Sequence, residues 1–287
     1  MSKGDTATSK KNIDLGLGHT LDIPTDSEKG FPLLYISDQY YSFNDLIVDD
    51  EIKERLEYII SENQNAKQLL SYGLKPKQKI LFCGLPGTGK TLSAKIVSSV
   101  IGYPLVYVLF DSIVSSFLGQ TASNLRKIFD FIEKGKYVVL FDEFDIVGKR
   151  RDDSQEHGEV KRVVNNFMQM LDNYNGESIL VAATNHQHLL DTAIWRRFDE
   201  VILFKVPTAD QRQKLFEKYL GVLRKNYEFD LTFFVKKTAS YSSADIANIC
   251  EDALRRTIIH GESKVTADDV LWAIKEKKRR RSIMLGK

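Results

Sequence analysis

The sequence predicts an α/β fold in which a mostly parallel sheet is followed by a small helical domain. Two observations carry this: short, continuously apolar runs separated by long stretches of helical pattern, and the loss of such runs after Pro207. The runs span residues 79–83, 105–110, 137–141, 179–183 and 201–204. Each is too short for a helix and too continuously apolar for a strand with one wet face, so each reads as a strand covered on both sides. The segments between them have room for the crossover helices that parallel neighbours require. Beyond Pro207, residues 208–223, 243–260 and 266–275 read as amphipathic helices, with Thr208, Ser243 and Thr266 as N-caps. Residues 1–30 are rich in Ser, Thr, Lys, Asp and Gly without apolar period. They read as a loose arm, with order expected to begin near residues 31–41. The expected organisation is therefore an arm (1–40), an α/β domain (41–206), a helical domain (207–275) and a basic tail (276–287).

Composition narrows the class. With 287 residues, 43% hydrophobic and 28% charged, the chain can bury a core, which excludes disordered, collagen-like and coiled-coil readings. Cys83 and Cys250 are far apart among apolar neighbours, so neither a disulfide framework nor a zinc site is expected, and a reducing cytoplasm is the default. Cys83 adjoins Gly84 and is read as a small buried strand residue rather than a redox control. No apolar h-region follows the basic start, and no run approaches the roughly 18 apolar residues of a membrane span. The net charge is +2, but residues 275–287 carry seven basic residues and one acid, leaving the rest of the chain at −4. Such a run is either a solvated helix end or a contact for nucleic acid or an acidic partner.

The chemistry begins where the first strand ends. Gly84-Leu85-Pro86-Gly87-Thr88-Gly89-Lys90-Thr91 has the G-x-x-x-x-G-K-[ST] spacing between a strand and a helix that Gly102 stops. Its glycines allow a tight loop with inward-pointing N–H groups, and the helix adds its positive end, so the concavity suits a polyphosphate. Lys90 can reach the outer phosphates, and the Thr91 hydroxyl can complete a Mg²⁺ shell. The strand at 138–141 then delivers Asp142 and Glu143 at its C-terminal end, where ligands bind in an open parallel sheet. Asp142 is placed to hold Mg²⁺ through water, and Glu143 to orient or deprotonate the water that attacks the γ-phosphate. The fourth strand ends in Thr184-Asn185, where an amide can sense the γ-phosphate or simply make a turn. Arg196 and Arg197 precede the fifth strand as surface charge, or as fingers that neutralise transition-state charge on a neighbouring subunit's nucleotide. His157, His186, His188 and His260 have no metal-ligand spacing and are read as surface or core histidines.

Taken in order, GLPGTGKT, VVLFDEFD, ATN, RRFD and SSADI resemble the AAA family of ATPases over about residues 41–275. That resemblance implies a P-loop NTPase sheet of five parallel strands in the order 5-1-4-3-2, a C-terminal helical lid and ATP with Mg²⁺ at their junction. It further implies a homo-oligomeric ring, usually of six subunits, that threads protein substrates. It assigns Gly84, Pro86, Gly87, Thr88, Gly89, Lys90, Thr91 and Leu92 to the phosphate loop, and Thr91 and Asp142 to the metal. Glu143 falls to hydrolysis, Asn185 to the first sensor, and Arg196 and Arg197 to the trans fingers. The segment 43–48, with Ile47 and Val48, resembles the adenine pocket, and Ser243-Ala244-Asp245 the lid motif.

Phe117-Leu118-Gly119 matches the pore loop of polypeptide-threading members; alternatively, Ile113, Val114, Phe117 and Leu118 form a packed helix face that Gly119 caps. Residues 148–158 are a candidate second pore loop or a plain surface loop. Adjacent Arg196 and Arg197 look more like the katanin and spastin branch, and no second-sensor arginine is evident beside Ala244. Specificity is expected from the tails or from a separately encoded adaptor or protease. Nucleic acid, through the basic tail, is the less favoured partner.

Overall fold

The computed structural model describes residues 13–14, 20–27, 30–37, 39–109, 121–144, 157–190, 192–221, 229–284 and 286. Its strands are β1 (Ile13–Asp14), β2 (Thr20–Leu21), β3 (Leu34–Ser37), β4 (Lys79–Gly84), β5 (Leu105–Val108), β6 (Val138–Phe141), β7 (Ile179–Thr184) and β8 (Glu200–Phe204). The helices are α1 (Asp50–Gln64), α2 (Ala66–Ser71), α3 (Lys90–Ile101), α4 (Thr121–Ile132), α5 (His157–Asn173), α6 (Thr192–Trp195), α7 (Ala209–Gly221), α8 (Thr232–Lys237), α9 (Ser243–Ile259) and α10 (Ala267–Met284).

The main sheet runs β3-β5-β6-β7-β4-β8. Its five parallel strands follow the expected 5-1-4-3-2 order, but the sheet has six strands among the described residues, not five. The addition is β3, antiparallel on β5, with Leu34 opposite Val108 and Ser37 opposite Leu105. Leu33 and Leu34 are fully buried there. Upstream of them, Lys127 of α4 donates to the Thr25 carbonyl and the Ser27 hydroxyl. Residues within the stretch assigned to the arm are thus held on the sheet edge and on α4.

Alternating strand residues serve two cores, as expected of a sheet covered on both faces. Leu81 and Cys83 point into one cluster with Phe129 of α4 and Phe167 of α5. Ile80 and Phe82 point into the other with Leu56 of α1 and Val97 of α3. A third cluster builds the helical domain from Phe216, Phe234, Ile249 and Val270. Thr208 caps α7 through reciprocal bonds with Gln211. The α9 cap is Ser242, not Ser243: its hydroxyl accepts from the Asp245 N–H, and its own N–H donates to the Asp245 carboxylate. The last helix extends well beyond residue 275, to Met284, and so carries the basic run inside it.

Gly84 joins sheet to loop at φ 141°, and a Cβ there would lie 2.1 Å from the Phe204 carbonyl oxygen. Gly102 has a similarly positive φ of 79° but open space around it. Gly84→Ala is therefore expected to destabilise the chain by about 3 kcal/mol, read as a lowered urea midpoint, and Gly102→Ala by only about 1 kcal/mol. Equal losses would show that the close approach to β8 is not what requires glycine.

Candidate functional site

The site lies at the C-terminal ends of β4, β6 and β7, where the polar residues that follow buried strands converge. The loop after β4 closes on itself through Thr88, whose hydroxyl donates to the Leu85 carbonyl at 2.8 Å. Lys90, only 6% exposed in the first turn of α3, reaches back across this loop. Its ammonium donates to the carbonyls of Gly84 (2.8 Å) and Leu85 (2.9 Å) and to Asn185 Oδ1 (2.8 Å). The lysine and the amide that the sequence placed at the tips of separate strands thus share one bond. Pro86 and Gly87 stay exposed, whereas Leu92 packs against the α1–α3 core.

Thr91 Oγ1 donates to Asp142 Oδ2 at 2.8 Å, and the other Asp142 oxygen accepts from the Glu143 N–H at 2.9 Å. Glu143 has φ 52°, the one non-glycine residue with positive φ among those described. A glutamate in this left-handed conformation costs on the order of 1 kcal/mol or more and needs outside support. Phe144 supplies it: its N–H donates to the Ala183 carbonyl at 2.9 Å, and its fully buried ring packs on Phe167. Anchored on both sides, the chain turns sharply and leaves the Glu143 side chain exposed.

The helical domain touches the loop directly. The Ala244 N–H donates to the Gly87 carbonyl at 3.0 Å. A Cβ on Gly87 would meet Ser242 Oγ at 2.7 Å and Ala244 Cβ at 2.8 Å. From the other side, a Cβ on Gly89 would meet Leu46 at 3.3 Å and Val48 at 3.7 Å. Ile47 packs against the core of the helical domain, and Lys218 of α7 donates to the Asn44 carbonyl. Residues 44–48 thus run between loop and helices. Leu46 and Ser242 lie inside the 43–48 and SSADI motifs but carry no individual role in the sequence reading. The Ser242-x-x-Asp245 spacing was the readable sign for the second, whereas Leu46 was hidden as one apolar residue among three.

The two arginines behave differently. Arg197 Nε donates to Asp172 at 2.9 Å, and its NH1 to the Ala193 carbonyl at 2.8 Å. Arg196 is exposed and has no recorded hydrogen bond or ion pair among the described residues. On α9, Arg255 pairs with Glu251 and Asp252, and Arg256 stands over the Trp272 ring, so neither reaches the loop. Burial pushes the Cys83 thiol up to about 12 against the opposing charge of Lys90, which leaves it protonated beside the site. Phe117-Leu118-Gly119 and residues 148–156 lie outside the described residues.

The donor set suits a hard divalent cation, because a hydroxyl and a carboxylate oxygen already meet beside the lysine that faces the loop. The residues present therefore fit Mg²⁺. The loop's glycines, in turn, let its backbone pack closely against β8, the start of α9 and residues 46–48.

A sequence profile described as the ATPase family associated with various cellular activities (AAA) matches residues 80–206. The uncharacterized AAA family ATPase y4kL of Sinorhizobium fredii is 39% identical over 241 residues, covering 83% of this chain and 72% of that protein. The proteasome-activating nucleotidase of Saccharolobus solfataricus is 30% identical, covering 79% of this chain and 60% of that protein. The ATP-dependent zinc metalloprotease FtsH of Lancefieldella parvula is 31% identical, covering 81% of this chain but 37% of that protein. No helix among the described residues is long and apolar enough to cross a membrane. With a phosphate loop, acidic pair and amide joined in one site, and a relative this similar along most of both lengths, the chain belongs to the AAA family of ATPases and is an ATP-hydrolysing enzyme.

Proposed function

We propose that the chain is an ATP-driven protein-remodelling motor that works in the cytoplasm as a ring, most simply of six copies. The observation that carries the ring is the pair of arginines before β8: Arg197 is held within its own subunit, whereas Arg196 is exposed with no recorded partner among the described residues. An exposed guanidinium with no partner among the described residues is available to a neighbouring subunit's nucleotide, which supports that role. Protein as the substrate is supported by the names of two relatives, a proteasome-activating nucleotidase and an ATP-dependent metalloprotease.

In this reading the loop N–H groups and Lys90 bind the phosphates, with Leu46, Ile47 and Val48 beside the base and Ala244 closing the site. Glu143 takes a proton from the attacking water as the water oxygen bonds to the γ-phosphorus and the bond to the bridging oxygen breaks. Asn185, bonded to Lys90, orients that water and reports the state of the γ-phosphate. Thr91 and Asp142 would hold Mg²⁺, which would supply neutralisation of the charge on the phosphates as ADP leaves. Arg196 stabilises the charge that develops in the adjoining site.

Phe117-Leu118-Gly119 is proposed as the loop that grips an extended substrate. Phe117→Ala is expected to keep basal ATPase within about twofold while reducing unfolding of a tagged fluorescent protein by at least about tenfold. Equal unfolding by both proteins would remove threading from the account and leave the ATPase intact.

A further inference from the structure

Most of the basic run near the C-terminus is absorbed into the helical domain, where Lys277, Arg279, Arg280 and Arg281 have carboxylate partners. Lys277 and Arg281 stand one turn apart on the same face of α10. Lys277 Nζ lies 2.7 Å from Asp245 Oδ1, and an Arg281 terminal nitrogen lies 2.9 Å from Asp245 Oδ2. Arg281 also covers the Tyr241 ring at 4.2 Å. Both Asp245 and Lys277 side chains are 17% exposed. Arg281 is 39% exposed, so the Lys277–Asp245 pair is the more desolvated half of a two-cation network on one carboxylate, unlike an isolated surface pair, whose contribution is usually small. Burial works to raise the Asp245 carboxyl, and the bonds from Lys277 and the Ser242 backbone outweigh it, leaving the carboxyl below its ordinary value.

Asp245 is also the residue that completes the α9 cap with Ser242, and Ser242 and Ala244 rest on Gly87. An unbroken chain of contacts therefore runs from α10 to the phosphate loop. We propose that Lys277 and Arg281 are positioning residues for the nucleotide: by clamping Asp245 they keep the start of α9 docked on Gly87, and losing the clamp weakens nucleotide binding without altering the chemical step. Neither cation touches the loop. Their effect passes through Asp245 to Ser242 and Ala244. The inference rests on the reading of this loop as the nucleotide site.

The test measures the affinity of a fluorescent ADP analogue, and KM and kcat for ATP, on the full chain. The double variant Lys277→Ala with Arg281→Ala is expected to bind the analogue about tenfold more weakly and to show a matching rise in KM. Its kcat, read at saturating ATP, is expected to stay within about twofold. The swap Lys277→Arg with Arg281→Lys restores affinity, because it returns both charges. Arg255→Ala, which breaks pairs with Glu251 and Asp252 on the outside of the same helix, leaves affinity unchanged. Should the double variant fail to fold by circular dichroism, each single variant still shows a smaller loss in the same direction. Unchanged affinity in the folded variants overturns the clamp, as does a fall in kcat at constant KM. Failure of the wild type to bind the analogue removes the nucleotide site itself, and the clamp with it, and is a separate outcome from either.

Discussion

Glu143→Gln is expected to bind ATP as well as the wild type and to hydrolyse it about 10² to 10⁴ times more slowly. Glutamine keeps the length and shape of the side chain but cannot accept the proton of the attacking water. The backbone argument sharpens this result. Glu143 adopts φ 52° between Asp142, which accepts its N–H, and Phe144, whose ring is fully buried. Gln inherits that same conformational cost, so its defect isolates the carboxylate. Glu143→Gly removes both the carboxylate and the backbone strain, so it is expected to be as slow as Glu143→Gln while gaining about 1 kcal/mol of stability. Rapid-quench single-turnover kinetics with labelled ATP gives the rate of the chemical step. A Glu143→Gln protein that cleaves ATP at the wild-type rate would remove Glu143 from the mechanism and leave the conformation without a functional explanation.

Arg196→Ala is expected to lower turnover by about 10³ to 10⁵ with nucleotide affinity unchanged, the range found when other phosphoryl-transfer sites lose an arginine finger. Arg197→Ala should behave differently. Its guanidinium joins Asp172 near the end of α5 to the Ala193 carbonyl in α6. Removing it loosens the segment that presents Arg196, so a smaller loss of turnover together with a lowered melting temperature is expected. Mixing separates cis from trans. Arg196→Ala subunits retain an intact Glu143 and lack a finger, whereas Glu143→Gln subunits retain the finger and lack the base. Mixed rings of the two should recover part of the activity that neither has alone. No recovery at any ratio would mean that the arginine and the glutamate act on the same nucleotide from within one subunit.

The parts of this site that were legible in the sequence are those whose signal is local. Strands such as β4 and β7 announce themselves because both faces are covered and four or five consecutive residues are apolar, and the phosphate loop because glycine recurs where its backbone takes positive φ. The sixth strand was not legible for the opposite reason. Leu34–Ser37 is a four-residue edge strand with Tyr35 exposed, following a stretch rich in turn residues, so no sustained period marks it. What places it is long-range: antiparallel pairing with β5, burial of Leu33 and Leu34, and the stack of Tyr35 on the opposite Tyr107 at 4.5 Å. The positive φ of Glu143 was equally hidden, because it depends on where the buried Phe144 ring must go. The basic run shows the limit of composition. Its charge was plain, but the partner that gives Lys277 and Arg281 their place, Asp245, lies on another helix. Likewise, the two adjacent arginines were indistinguishable until Asp172 was seen to hold one of them.

Steady-state ATPase rate per subunit, followed across protein concentration, tests the central claim most directly, since a site that borrows a guanidinium from its neighbour works only when assembled. The account predicts a rate that is near zero when the chain is dilute, rises with concentration and levels off as subunits associate. A rate per subunit that stays constant down to concentrations where sedimentation shows only monomers would contradict it.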